Sequence, residues 1–156
     1  MALSAEGRVF TWGWGKYGQL GHGDANNELV PTRVESRAGV SGIAAGDAHS
    51  LAVVGGTGAV YSWGCGANGR LGLGDEDGRD VPTAVPGLGG VMAVEAGAYH
   101  SVALGRDGTL RSWGRNYSGQ LGLGDRRDRR RPRVVFVTTD QETCPAKHAA
   151  PPRSVD

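Results

Sequence analysis

An excess of charge of either sign is missing from this chain: 17 lysines and arginines stand against 16 aspartates and glutamates, a formal net charge of +1. Global electrostatics therefore names no partner, and any charge that matters is local. Cysteine is scarce as well. Cys65 and Cys144 sit in unlike contexts without metal-ligand spacing, which excludes a disulfide framework and a zinc site and fits reduced thiols in an intracellular protein. No apolar run approaches the ~18 residues of a membrane span. The opening residues MALSAEGRV lack the basic and apolar segments of a secretory signal. A soluble cytoplasmic or nuclear protein that does not engage membranes is expected.

Glycine, by contrast, is abundant, at 28 of 156 residues against a usual ~7%. Many glycines recur in register, a pattern of tight turns between short strands and not of helices, where each would cost roughly 1 kcal/mol. The register comes from one stretch present three times without a gap: FTWGWGKYGQLGHGD (Phe10 to Asp24), YSWGCGANGRLGLGD (Tyr61 to Asp75) and RSWGRNYSGQLGLGD (Arg111 to Asp125). Trp12, Trp63 and Trp113 lie 51 and 50 residues apart. Trp and Gly at fixed phase in a period of about 50 residues indicate a blade-like repeat.

Aligning on the tryptophans places Ala2 and Leu3 over Ala103 and Leu104, so the chain is expected to begin within a strand. Arg8 to Gly13, Ala59 to Gly64 and Thr109 to Gly114 read as strands rich in β-branched and aromatic residues. Val9, Val60 and Leu110, with Thr11, Ser62 and Ser112, mark a buried face, whereas the position between them varies from Phe10 to Tyr61 to Arg111. Return strands begin near VPTRV (Val30 to Val34), VPTAV (Val81 to Val85) and RPRVV (Arg131 to Val135). Further strands fall at Gly42 to Ala45 and Val91 to Ala96, and Asp107-Gly108 reads as a hairpin turn. Each unit thus has about four short antiparallel strands. The units run near 2–53, 54–104 and 105–137, giving an all-β domain over 1–137, and the polar, proline-bearing remainder, 138–156, is expected to be a disordered tail.

Two patterns mimic chemistry. Gly13, Gly15 and Gly18, like Gly64, Gly66 and Gly69, spell GxGxxG after a strand, but no helix follows to receive a pyrophosphate, and no Walker pattern is present. In the third copy the middle glycine is Asn116, so these glycines, with Gly114, are read as positions of positive φ. His49-Ser50 and His100-Ser101 recur once per repeat, whereas a hydrolase needs one unique constellation with an orienting acid. His49 and His100 are accordingly expected to be structural, bonding a neighbouring strand or turn. So are Trp12, Trp63 and Trp113 for packing, Gly13, Gly64 and Gly114 for φ, and Asp24, Asp75 and Asp125 for turns. Trp14 has no counterpart in the other copies. No catalytic residue, metal or cofactor is expected.

The copies diverge after each aspartate. The first loop includes Asn26 to Leu29, the second is EDGRD, and the third is RRDRR continuing through Arg131 to Arg133. Variable loops on a repeated scaffold are where binding resides. Arg126, Arg127, Arg129, Arg130 and Arg131 would meet an acidic protein surface, or phosphate as in chromatin or another nucleic acid; Glu76, Asp77 and Asp80 would meet basic groups. Lacking interleaved aromatics, the basic loop favours protein over nucleic acid.

The repeat resembles the regulator of chromosome condensation repeat family. The match is carried by WGxGxxGQLGxGD, the following VPT and AGxxHSxAL, over roughly Ala2 to Val137. The diglycines of kelch repeats, of similar period, should recur in phase, and Gly55-Gly56 and Gly89-Gly90 do not. The resemblance implies a seven-bladed β-propeller with four-stranded blades, of which about three units would make an open partial propeller. Their uncovered edges predict instability or self-association. It further implies a choice among guanine-nucleotide exchange on a small nuclear GTPase bound to chromatin, recognition within large ubiquitin ligases, β-lactamase inhibition and UV-B photoreception. The photoreceptor members carry a GWRHT motif, whereas Asp47 and Ala98 stand here two residues before the histidines. The expected function is a non-enzymatic protein-interaction module acting through its variable loops. The alternative is exchange on a small GTPase, which needs a displacing wedge; no extra hairpin between repeats supplies one.

Overall fold

The structure, a computed structural model, describes residues 1–35 and 39–136. The tail expected over 138–156 lies outside the described residues. The chain forms three antiparallel sheets. The first joins β1 (Ala2–Leu3), β2 (Val9–Gly13) and β3 (Glu28–Arg33) in that order. The second has the order β4 (Val40–Ala45), β5 (His49–Val54), β6 (Val60–Gly64), β7 (Arg79–Ala84). The third repeats this with β8 (Val91–Ala96), β9 (His100–Gly105), β10 (Leu110–Gly114) and β11 (Arg129–Val135). A single 3-10 turn, Ala67–Gly69, is the helical element among the described residues. The fold is thus all-β, built of propeller-type blades in an open arc, the first blade with three strands in place of four.

Register places Ala2 and Leu3 as the repeat alignment expects. Ala2 pairs with Phe10 and Leu3 with Val9, as Ala103 pairs with Arg111 and Leu104 with Leu110. The return strands begin two residues before Val30, Val81 and Arg131, because Gly13, Gly64 and Gly114 pair with Glu28, Arg79 and Arg129. Those glycines have φ of 99°, 102° and 103°, a conformation costly for any residue with a Cβ.

Sheets and repeats are out of phase. Each full sheet takes its first two strands from one repeat and its last two from the next, so the first and second repeats each span two neighbouring blades. The apolar cores lie between the sheets. Val9 and Val34 of the first blade pack with Val40, Ala52 and Trp63 of the second. Leu51, Val53, Val60 and Val85 of the second pack with Val91, Val94, Ala103 and Trp113 of the third.

The tryptophan of each blade crosses to the glycine-rich loop of the blade before it. Trp63 lies against Gly21, where an added Cβ would come within 2.8 Å of the indole nitrogen. Trp113 lies against Gly72 in the same way, at 2.7 Å. Trp63 Nε1 also donates to the Gln19 carbonyl oxygen at 2.9 Å. Trp63 and Trp113 are 1% and 0% exposed, whereas Trp12, with no described blade before it, is 41% exposed.

Truncating a buried tryptophan costs about 3–5 kcal/mol, and Trp113→Ala should lower the urea-unfolding free energy by that order. Gly72→Ala should cost more than Gly108→Ala. Both glycines have positive φ, of 75° and 78°, but only at Gly72 does the added methyl meet an indole, nothing lying within 4 Å of a Cβ at Gly108. Urea midpoints of the two variants check this.

Candidate partner-binding face

One end of the sheets gathers the loops. The Gly13–Glu28, Gly64–Arg79 and Gly114–Arg129 pairings set each glycine-rich loop beside the variable loop of its own repeat. The Cys65 and Arg115 backbone N–H groups donate to the carbonyls of Ala48 and Tyr99 at 2.8 and 2.9 Å, bringing the turn before each histidine to the same end.

The three repeated aspartates start the variable loops in one way. Asp24 Oδ1 accepts from the Asn26 N–H, Asp75 Oδ1 from Asp77 and Asp125 Oδ1 from Arg127, each two residues on. In the second and third copies the other carboxylate oxygen pairs with Arg79 at 2.8 Å and Arg129 at 2.6 Å. Glu28 holds that place in the first copy and instead accepts from the Thr32 hydroxyl at 3.0 Å. The Arg127 N–H and the Arg129 guanidinium hold the Asp125 carboxyl below its ordinary range. At Asp75 desolvation acts upward, and bonds from Arg79 and the Asp77 N–H outweigh it to give a net lowering.

The reading of Asn116 as a stand-in for positive φ is corrected. Gly15 and Gly66 do not have positive φ, and among the described residues the non-glycine residue that does is Asn68, at 61°. Gly15 and Gly66 are glycine because a Cβ would overlap the backbone carbonyls of Asn26 and Asp77, which press onto the loop. In the third copy the side chain is accommodated. Asn116 is fully buried, donates from Nδ2 to the Asp125 carbonyl at 3.0 Å and accepts from the Leu121 N–H at 3.0 Å.

The histidines tie blades together. His49 Nε2 lies 2.9 Å from Ser101 Oγ of the next blade. That hydroxyl donates its proton to the Arg70 carbonyl at 2.8 Å, so His49 must donate to it from Nε2. A catalytic pair needs the opposite arrangement, with imidazole accepting the hydroxyl proton. Burial, aided by the nearby Arg70 and His100 charges, lowers His49 to about 4. Burial also lowers His100, which is half-buried.

The structure divides the eight charged residues expected to meet a partner. Arg129 is engaged by Asp125, and Arg130 reaches across the blades to Glu76 at 2.8 Å. The Arg131 guanidinium lies over Gly74, and the Asp80 carbonyl accepts from the Gly23 N–H at 2.9 Å. Asp77 and Asp80 present exposed carboxylates on the second blade, and Asp80 lines a groove with Asp24, Lys16 and Arg79. Arg126 and Arg127 are exposed on the third, with no ion pair among the described residues. Arg127 shares a groove with Arg133, Val134 and the exposed Phe136.

Of the aromatic groups at this end sequence reasoning singled out Trp14, which is 53% exposed, and missed the tyrosines. The Tyr99 ring lies between the guanidinium carbons of Arg70, at 4.8 Å, and Arg115, at 5.2 Å, and Arg115 also stands 5.7 Å from the Tyr117 ring. On the first blade Trp14 meets Tyr17 edge-on at 5.3 Å. Cationic and aromatic groups that are separate in sequence therefore interleave in space. No repeat signal could find them, because they occupy the few positions of the motif that differ between copies.

The comparisons with known proteins follow the same scaffold. The regulator of chromosome condensation (RCC1) repeat profile matches residues 6–53, 57–104 and 107–150. The chain belongs to the RCC1 repeat family. Human E3 ubiquitin-protein ligase HERC2 is 41% identical over 109 residues, 66% of this chain and 2% of that protein's length. The Ultraviolet-B receptor UVR8 of Arabidopsis thaliana is 43% identical over 109 residues, 67% of this chain and 24% of the receptor. Among solved structures, Prp20p of Saccharomyces cerevisiae, described with its binding to Gsp1p and histones, superposes with a TM-score of 0.77 at 27% identity. The match covers 90% of this chain and 36% of Prp20p. Human WBSCR16 follows with a TM-score of 0.70 at 32% identity, over 85% of this chain and 35% of that one. The chain thus spans about a third or less of these RCC1-repeat relatives.

The His49 strut makes stability depend on pH. Above its unfolded value of ~6.5 neither state holds the extra proton and stability is full. As pH falls from there toward about 4, the unfolded chain takes up a proton that the folded chain refuses. Stability should drop across this window by roughly 3 kcal/mol and then level off with respect to this group. Urea unfolding between pH 7 and pH 4.5 checks the slope, which His49→Asn should reduce, the remainder falling to His100 and, at the acid end, to the lowered carboxyls of Glu6, Asp75, Asp107 and Asp125.

Proposed function

We propose that this RCC1-repeat chain is a non-enzymatic protein-interaction module that binds an acidic partner surface at its loop-bearing end. The observation that carries this reading is the division of charged groups between blades. What recurs is engaged within the scaffold, such as the aspartate and arginine pairs, whereas Arg126 and Arg127 are exposed and have no ion pair among the described residues. Arg115 and Tyr117 extend the same surface, and an arginine held on an aromatic ring suits recognition of carboxylates. Asp24 and Asp80 lie together on the other blades with Lys16 and Arg79 beside them, so that corner carries both signs. Arg126→Glu combined with Arg127→Glu should leave the urea midpoint within about 0.5 kcal/mol of the parent, as exposed substitutions do. The double variant should lose capture of an acidic peptide surface in a pull-down, and unchanged capture would remove this role.

A second reading, exchange on a small GTPase, is supported by the likeness to Prp20p, whose structure was described together with its binding to Gsp1p. Exchange requires displacement of bound nucleotide and its magnesium ion without covalent chemistry, and a rigid face of loops suits such work. Release of a fluorescent guanine nucleotide from a panel of small GTPases should accelerate by tenfold or more, about 1.4 kcal/mol or more of barrier, if the chain acts in this way. A photoreceptor role has less support, because Asp47 and Ala98 stand where the receptor motif places tryptophan. Ligase chemistry would require a further domain.

A further inference from the structure

Arg70 stands where the other two copies of the repeat have glutamine. There Gln19 Oε1 accepts from the Tyr17 N–H at 2.8 Å and Gln120 Oε1 from the Ser118 N–H at 2.9 Å, each closing its glycine-rich loop. An arginine side chain has donors alone, so it cannot make that bond. Its Nε donates instead to the Ala67 carbonyl at 2.9 Å, and one Nη to Asn68 Oδ1 at 3.4 Å. Asn68, whose N–H has lost the closing acceptor, turns to a φ of 61°, the one positive φ outside glycine among the described residues. The second copy has thus exchanged a loop-closing acceptor for a cation.

That cation lacks an opposite charge. Arg70 is 4% exposed, and the two acceptors just named are neutral. The three ion pairs among the described residues include neither Arg70 nor Arg115. Asp128 of the third blade's loop has both carboxylate oxygens engaged, accepting from Asn68 Nδ2 at 3.0 Å and from the Asn116 N–H at 2.7 Å. A buried guanidinium keeps its proton and is costly to leave unpaired, and the Tyr99 ring offsets part of that cost. The Arg70 and Arg115 guanidinium carbons stand 4.8 and 5.2 Å from that ring's centroid, so they lie within about 10 Å of each other, where like charges favour a shared anion.

The cluster is held by both blades of the second joint. Gly114 packs on the second blade's loop, where an added Cβ would come within 3.2 Å of Arg70 Cα, and the Arg115 N–H donates to the Tyr99 carbonyl at 2.9 Å. Tyr99 is exposed and Arg115 half-buried, so the cluster opens to solvent on their side.

We propose that Arg70, Tyr99 and Arg115 form a socket for one carboxylate of the acidic partner, with Arg70 as its floor and Arg115 and the tyrosine ring as its rim. The inserted group supplies the charge that the scaffold withholds and anchors the partner at one point, while Arg126 and Arg127 meet its surroundings. A planar carboxylate matches the guanidinium fork and suits an opening this small better than a tetrahedral phosphoryl group. The socket rests on the reading that the loop-bearing end binds an acidic protein surface, and it names the group bound.

Arg70→Gln tests the socket in the full chain, because it restores the residue of the other copies, whose Oε1 can accept from the Asn68 N–H. The variant should melt no lower than the parent and bind hexaglutamate roughly tenfold to a hundredfold more weakly by calorimetry at fixed ionic strength. In the parent, hexaglutamate should shift the Arg70 Nε–H resonance further than inorganic phosphate does. A variant that melts below the parent makes Arg70 a structural brace and overturns the proposal. Unchanged affinity, or a resonance that phosphate shifts as far or further, overturns it as well. The Arg126→Glu, Arg127→Glu double variant separates the two claims. If it loses hexaglutamate while Arg70→Gln keeps it, the socket falls and the acidic-partner reading stands. If Arg70→Gln loses it while the double variant binds as the parent does, the socket stands and the role of Arg126 and Arg127 falls. A parent that binds no hexaglutamate overturns both.

Discussion

The contact on which the rest of the structure depends is a tryptophan laid on a glycine of the preceding blade. An indole is the largest apolar group a chain can bury, and it needs a flat bed. Gly21 and Gly72 supply that bed because they carry no Cβ, and the Gln19 carbonyl satisfies the Trp63 ring N–H. Without such a contact each sheet would be a small, two-sided ribbon with no closed core, which is not independently stable in water. The strict phase of Trp and Gly along the chain is the trace of this one requirement.

Because repeat and blade are out of phase, covalent continuity and packing reinforce one another. A repeat begins with the last two strands of one blade and ends with the first two of the next. The chain that leaves the tryptophan strand therefore builds the neighbouring sheet's first half. The buried His49 to Ser101 bond adds a polar strut between the second and third blades. Its geometry also removes the temptation to read a catalytic pair: the serine proton is committed to the Arg70 carbonyl. A neutral imidazole, buried and donating, is a structural cross-brace.

This arrangement separates what must recur from what is free to vary. Residues that face a neighbouring blade, or that close a loop on itself, are specified in every copy. Loop tips are less constrained and differ in charge from blade to blade. Arg130 shows that the boundary does not follow residue type, since it pairs across the blades with Glu76 while Arg126 and Arg127 of the same loop remain exposed. The aromatic residues Tyr99 and Tyr117 obey the same division and reach the loop surface from two different turns.

Period, strand positions and the architecture of antiparallel blades were legible in the chain alone, because they rest on patterns that repeat. The tryptophans, the Asp turns and the register of Ala2 and Leu3 all follow from comparing three copies. Contacts between segments that no pattern links were decided only by the tertiary structure. Gly15 and Gly66 are excluded from bearing a side chain by a carbonyl eleven residues further on, a fact that spacing cannot convey and that made Asn116 look like a φ substitute. Which arginines are engaged and which are exposed, and that Arg70 and Arg115 flank one tyrosine, likewise depend on how neighbouring loops meet in space. Local conformation and burial are written in the periodic residues themselves, whereas partners across blades are set by the packing angle between sheets.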